Sequence, residues 1–319
     1  MTTPGKGDRE DSFLSYELVK GWPAFAAQYP LGQVTGVGTD TAGHILLIHR
    51  AGRRWVIDDQ VFPDTPISAP TILVLDAQTG AILRSWGSGL FSMPHGLTVD
   101  RENNVWLTDV GLHQVIKCSP EGRVLMKLGV AGKPGTDSAH FNKPTDVAVA
   151  ADGSFYVSDG YGNSRVVKFS RAGKFLFAWG SKGDKPGQFN LPHAVDLDSN
   201  GNVYVADREN KRIQEFDSLG RFLKQWKSDR FENMYSLCID NKSQALFAVD
   251  FLSLGNLVDK GSDVLQFRPD GTLAGRFGRT GHYDGPVARY HDIALDREGN
   301  IYVGDILGNR IWKFRKKQL

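Results

Sequence analysis

Cysteine is almost missing from this chain: Cys118 and Cys238 are the two in 319 residues, and both sit inside apolar, strand-like runs. Their placement favours two buried free thiols over a disulfide framework. A reducing, cytoplasmic setting is the simplest expectation, with a secreted chain lacking its leader as the alternative. No run of about 18 apolar residues occurs, and the opening MTTPGKGDREDS lacks the apolar core of a signal peptide. A membrane-spanning helix is therefore not expected. An excess of one charge is missing too, since 38 basic residues face 36 acidic ones for a net charge of +2. That balance argues against nucleic acid or an anionic membrane as partner. Residues 1–12 are expected to be disordered, with 13–319 forming one domain.

Glycine, by contrast, is plentiful at 36 residues, which favours a turn-rich β architecture over helices. Five segments align with one another: MPHGLTVDRENNVWLTD, KPTDVAVAADGSFYVSD, LPHAVDLDSNGNVYVAD, MYSLCIDNKSQALFAVD and RYHDIALDREGNIYVGD. They end at Asp109, Asp159, Asp207, Asp250 and Asp305, at intervals of 50, 48, 43 and 55 residues. One four-stranded propeller blade per repeat has this length. A degenerate sixth copy, QVTGVGTDTAGHILLIHR, precedes them. The chain reads as an all-β, six-bladed β-propeller. The last copy runs out after three strands, so Tyr16-Glu17-Leu18-Val19 is expected to supply its fourth and close the ring, which removes two exposed sheet edges. The blades resemble NHL repeats, in which an Asp after the second strand is followed by Asn and Arg. Here the pattern is Asp159 with Asn163 and Arg165, Asp207 with Asn210 and Arg212, and Asp305 with Asn309 and Arg310. A residue repeated in every blade cannot mark one unique site, so these Asp and Arg residues read as structural ties.

Where the repeat breaks, it becomes informative about chemistry. At the position just before the innermost strand the six copies carry Thr35, His95, Thr145, His193, Tyr235 and His291. Histidine occupies every second blade, and the three are spaced 98 residues apart. Alternate blades of a six-bladed ring lie about 120° apart with their inner strands lining the channel. Three imidazoles then converge on the axis, as a three-histidine metal site with an open fourth position requires. Zinc suits neutral imidazole, and the open position suits hydrolytic or lyase chemistry. A single histidine before a strand is more often a capping or turn residue, but three in alternating phase are not explained that way. His44, His49, His113, His140 and His282 show no such register and are not read as ligands. The loops after the second strands share the histidine face, among them Gly160–Asn163, Arg208–Asn210 and Arg50–Arg53. Arg50 is expected to stand where the other blades carry the structural Asp.

At these residues the chain resembles the peptidylamidoglycolate lyases, the second catalytic unit of peptidylglycine α-amidating enzymes. The matching stretches are IHR at 48–50, MPHGLTVDRENNVWLTDVGLHQV at 93–115, KPTDVAVAADGSFYVSDGYGNSRVVKFSRAGKF at 143–175, LPHAV at 191–195, VADRENKRIQEF at 205–216 and HDIALDREGNIYVGD at 291–305. The resemblance implies cleavage of a peptidyl or N-acyl α-hydroxyglycine to an amide and glyoxylate, with zinc on His95, His193 and His291. It further implies Tyr161 as general base, with Arg50 and Arg208 handling the substrate carboxylate and the charge near the metal. A structural calcium is implied on the Asp292 side chain and the backbone oxygens of Val37 and Leu97. Two departures stand out. Asn142, Gly162, Tyr204 and Glu215 occupy positions where the animal enzymes carry disulfide cysteines. Arg289-Tyr290 replaces Met-Pro before the third histidine, which changes the pocket wall and the substrate it receives. The expected partner is a small molecule or peptide with an α-hydroxyglycine-type end, acted on by a monomer. The rival reading is a non-catalytic NHL propeller serving as a protein interaction module, RNA being disfavoured by the charge balance. A lactonase-like hydrolase is disfavoured, since such enzymes resemble carboxylate-and-asparagine metal sites rather than three histidines.

Overall fold

Each second strand of the repeat is a short, continuous apolar run, which suits a strand covered on both faces rather than one half-exposed to solvent. In the computed structural model, which describes residues 16–25, 29–55, 61–252, 261–278 and 287–317, five of these strands are buried at all five positions and the fifth blade's at all six. The outermost strands alternate instead, as Phe175–Trp179 does in blade 3. Residues 1–12 and His282 lie outside the described residues.

Six four-stranded antiparallel sheets follow one another along the chain. Blades 1 to 5 begin with the inner strands Val34–Thr39, Pro94–Val99, Asp146–Val149, Pro192–Leu197 and Asn233–Ile239, and each proceeds outward in sequence order. Blade 6 takes three strands from residues 290–316 and its fourth from Tyr16–Leu18, where Tyr16 pairs with Lys316 and Leu18 with Phe314. The ring is therefore closed by the N-terminal segment expected from the sequence.

The core is a set of six separate apolar layers, one at each blade-to-blade interface. Trp106 and Val115 of blade 2 pack on Phe155 and Val157 of blade 3. Phe247 and Phe277 of blade 5 meet Tyr16, Tyr290 and Phe314 of blade 6. Farther out, a tryptophan from one outer strand lies under a glycine turn of the next blade: Trp86 under Gly122, Trp179 under Gly220 and Trp226 under Gly271. These glycines have φ of +89°, +77° and +89°, a left-handed conformation open to glycine at little cost. The positions that resemble cystine sites are filled by other contacts. A side chain on Gly162 would run into the Asn142 amide, and Tyr204 pairs across strands with Glu215.

The tryptophan–glycine contact generates a stability prediction. A Cβ on Gly220 would stand 2.7 Å from Trp179 Cδ2 in a backbone that already disfavours one. Gly220→Ala should lower the unfolding free energy by about 2 kcal/mol, read as a reduced urea midpoint, whereas Gly201→Ala, equally left-handed but with nothing near its Cβ, should cost less.

Candidate metal centre and active site

Every histidine of the trio sits at an irregularity in strand pairing. Pro192 pairs with Asp207 and Ala194 with Ala206, so His193 is an extra residue with no partner opposite. His291 is extra in the same way between Tyr290 and Asp292, and His95 lies in the shifted stretch between Pro94 and Leu97. A β-bulge bends the strand and re-aims the side chain it carries. The histidines thus belong to the inner strands as their second residues, two steps further on than the expected position just before the strand, and the bulge turns them into the channel.

Their neighbours fix the rest of the geometry. His95 Nδ1 donates to the Thr145 carbonyl at 2.8 Å, His193 Nδ1 to that of Tyr235 at 2.5 Å and His291 Nδ1 to that of Thr35 at 2.7 Å. The acceptors are the same repeat position in the three blades that lack histidine. A carbonyl can only accept, so each ring carries its proton on Nδ1 and points the Nε2 lone pair inward. The rings stand 4.5 to 4.9 Å apart between centroids, with one ligating nitrogen from each residue within 4.8 Å of the others. Burial lowers all three pKa values well below the usual histidine range, and the nearby Arg208 charge pushes each the same way, with Arg50 adding to it at His95 and His291. Three buried, neutral imidazoles with convergent lone pairs fit a zinc-class ion. Among the described residues this is the one cluster of three or more His, Cys, Asp or Glu side chains close enough to share an ion.

The tyrosine singled out from the sequence lies against the trio. Tyr161 Oη is 3.1 Å from His95 Nε2, 3.0 Å from His193 Nε2 and 3.3 Å from Arg208 Nη1, which donates to it. Burial raises its pKa, while Arg208 and Arg50 oppose that rise. Gly160 makes the approach possible, because a Cβ there would lie 2.0 Å from the Pro192 carbonyl oxygen. Trp55, which the sequence reading passed over, packs on the Tyr161 ring at 4.6 Å and on His95 at 6.3 Å. Its backbone N–H donates to Gln33 Oε1, the same oxygen that accepts Arg50 Nη1. Nothing in the repeat marks Trp55, since it sits in an irregular loop of the most degenerate blade.

One sequence expectation is corrected by strand pairing. His49, not Arg50, occupies the position of the structural Asp: Val34 pairs with His49 as Pro94 pairs with Asp109 and Tyr290 with Asp305. Asp109 accepts the N–H groups of Ser92, Met93, Gly111 and Leu112, pinning both chain segments at the mouth of blade 2. His49 does the same with Nδ1, which accepts Gly32 N–H at 3.2 Å and Ala51 N–H at 3.1 Å. Burial holds its pKa down to about 4, so it acts as a neutral acceptor. Arg50 is one residue further on, the position that Arg208 holds in the opposite blade and Phe251 and Ile306 in blades 5 and 6. All four line one cavity of about 490 Å³ with Tyr161, Trp55 and His291.

The remaining candidates divide. Arg289 lines the cavity, with Nη2 on Tyr235 Oη at 2.8 Å. Its neighbour Tyr290 does not: the side chain is buried between blades 5 and 6, where its ring faces Phe314. Strand alternation sends consecutive residues to opposite sides, so one of the pair reaches the mouth. Asp292 lies below the histidines and accepts Val37 N–H at 2.8 Å and the Ser236 hydroxyl at 2.6 Å. Leu97 packs in the blade 1–2 core, where a Cβ added to Gly36 would touch it. Burial, and after it the Asp292 charge, drives Asp146 well above the carboxylate range, and Asp292 is raised to about 6 mainly by burial. His44 and His140 pair with Asp40 and Asp137, and His113 Nδ1 accepts Lys143 N–H, so none of them reaches the channel.

His49→Ala should leave two buried N–H groups unsatisfied and lower stability by about 2 kcal/mol in denaturant titration. His49→Asn, which keeps an acceptor, should recover much of that loss.

The NHL repeat family model matches residues 141–169 and 189–216, within blades 3 and 4. Peptidyl-glycine alpha-amidating monooxygenase B of Xenopus laevis is 38% identical over 92% of this chain and 35% of its own length. Peptidyl-alpha-hydroxyglycine alpha-amidating lyase 1 of Drosophila melanogaster is 35% identical over 96% of the chain and 60% of its own length. The chain thus spans about a third of the first and three fifths of the second. Among solved structures, a gluconolactonase from Xanthomonas campestris superposes with a TM-score of 0.62 at 14% identity, covering 96% of both chains, which shows the propeller fold alone. The chain is an NHL-repeat β-propeller homologous to the peptidyl-α-hydroxyglycine α-amidating lyases.

Proposed function

We propose that this protein is a zinc-dependent lyase that cleaves a peptidyl- or N-acyl-α-hydroxyglycine into an amide and glyoxylate. The observation that carries the reading is the convergence of the His95 and His193 Nε2 atoms on the Tyr161 hydroxyl at 3.1 and 3.0 Å, with His291 completing the trio. Lyases among the homologues favour this chemistry over a passive interaction module.

His95, His193 and His291 would hold the ion, which when bound supplies a Lewis acid that eases removal of a proton from a hydroxyl beside it. Tyr161 is the group placed to take that proton. As a phenol buried in a protein it is a poor base, and Arg208, donating to its oxygen, and Arg50 offset the cost of its ionised form. Arg50 carries a buried Nη2 with no protein partner, a donor left for the substrate carboxylate. When the hydroxyl proton moves to Tyr161, the oxygen's electron pair forms the aldehyde of glyoxylate and the carbon–nitrogen bond breaks. The proton is then delivered to the departing nitrogen, which leaves as the amide. Trp55 covers the Tyr161 ring and keeps water from it.

A second ion, calcium, is proposed for the channel below. Asp292 would be its side-chain ligand, with the backbone oxygens of Val37 and Leu97, and burial raises the Asp292 carboxyl to about 6. A buried carboxylate of this kind suits a hard divalent cation with oxygen ligands.

Two outcomes test these assignments. Tyr161→Phe keeps ring packing and metal content by mass spectrometry, yet its glyoxylate release from α-hydroxyhippurate should fall about 10²–10⁴-fold. Wild-type protein stripped by chelator should lose the activity and regain it with zinc. For calcium, the raised carboxyl pKa makes protons and the ion compete: Asp292 is ionised above about 6 and protonated below. Added calcium should therefore raise the Tm of chelator-treated protein at pH 8 and do so much less at pH 5.

A further inference from the structure

The cavity holds more positive charge than the reaction above uses. Arg50, Lys143, Arg208, Lys211 and Arg289 line it against Glu209 and Glu232, an excess of three cations. Both carboxylates are already engaged, Glu209 with Arg208 at 2.8 Å and Glu232 with Lys211 at 2.7 Å. Among the described residues, Arg50 and Arg289 have no carboxylate on their side chains, and each has a buried guanidinium nitrogen without a partner, Nη2 of Arg50 and Nε of Arg289. Burying an unpaired donor on a charged group is costly unless an anion arrives to meet it.

Arg289 is built to wait for one. Its guanidinium stacks over Phe251 at 4.2 Å and lies 5.5 Å from the Tyr235 ring centroid, with Nη2 on the Tyr235 hydroxyl. Held against Phe251 and tied to the Tyr235 hydroxyl, it loses little further freedom when it binds. Asp305, the nearby carboxylate, accepts the backbone N–H of Arg289 and bonds Trp312 with its other oxygen, and so does not neutralise the side chain. Arg208 also lies over Tyr235, at 4.9 Å, and reaches Tyr161. By contact, Arg289 is therefore one aromatic ring farther from Tyr161 than Arg208 is. On the lyase reading, the spare Arg50 donor serves the carboxylate at the glyoxylyl end, which leaves Arg289 for a group on the acyl side of the scissile bond.

We propose that Arg289 is a specificity-determining residue that selects substrates carrying a second anionic group on the acyl portion, such as an acidic residue immediately before the α-hydroxyglycine. This rests on the lyase reading of the same cavity, and the test separates the two. Glyoxylate release is measured from N-acetyl-glutamyl- and N-acetyl-leucyl-α-hydroxyglycine, and binding of the inert N-acetyl-glutamyl-glycine and N-acetyl-leucyl-glycine by calorimetry. The wild type should favour the glutamyl substrate in kcat/KM, and the glutamyl ligand in affinity, by about tenfold or more. Arg289→Met should bring both ratios to about one, with the change in the KM of the glutamyl substrate. Arg289→Gln, which keeps a donor toward Tyr235, should do the same if the methionine variant folds poorly.

Equal turnover of both substrates by the wild type overturns the acidic preference and leaves the lyase reading standing. Release from neither substrate, with tighter glutamyl binding that Arg289→Met abolishes, supports the anion subsite and overturns the lyase reading. Equal loss of both substrates in Arg289→Met and Arg289→Gln would place Arg289 on the common carboxylate and overturn the proposal.

Discussion

A buried acceptor at the end of each second strand anchors the mouth of this propeller. Asp109, Asp159, Asp207, Asp250 and Asp305 each accept N–H groups from the adjoining chain, and His49 stands in for them in blade 1. In blades 2 and 6 the clamped segment lies two residues before a histidine of the trio, at Met93 and Arg289. Burial raises the pKa of these carboxyls, and the donors around them pull it back. That arrangement pays for itself by holding loops that would otherwise be free, and the bulge that follows can then present one side chain to the axis.

The same clamp sorts function by position within the repeat. The residue after the acceptor faces the cavity as Arg50, Arg208, Phe251 and Ile306, and the next one supplies Tyr161 in blade 3. Blades 1, 3, 4, 5 and 6 thus offer equivalent positions to a shared site, and chemistry arises where one blade departs from its siblings. Alternation of histidine with threonine or tyrosine serves two ends at once. Every second blade provides an imidazole, and each blade between provides the carbonyl that fixes its tautomer. Burial keeps the histidines neutral, so that they could hold a cation, while the arginines beside them give the cavity its positive charge.

Blade number, ring closure and the histidine trio were legible in the sequence, because a repeat of roughly fixed length forces equivalent residues to equivalent places and a broken repeat exposes the unique ones. Tyr161, Arg50 and Arg208 were found through resemblance, and their loops were placed on the histidine face by strand direction alone. Three things needed tertiary structure. The register of blade 1 assigned the clamp to His49, which no periodicity could separate from Arg50 one residue away. Trp55 came into the site from an irregular loop, where sequence carries no phase. Arg289 and Tyr290, adjacent in the chain, were parted by the pleat, one to the cavity and one to the core. Local pattern thus determined which residues repeat and which do not. Only the closed ring decided which of the exceptions meet, because their meeting depends on contacts between residues tens to hundreds of positions apart.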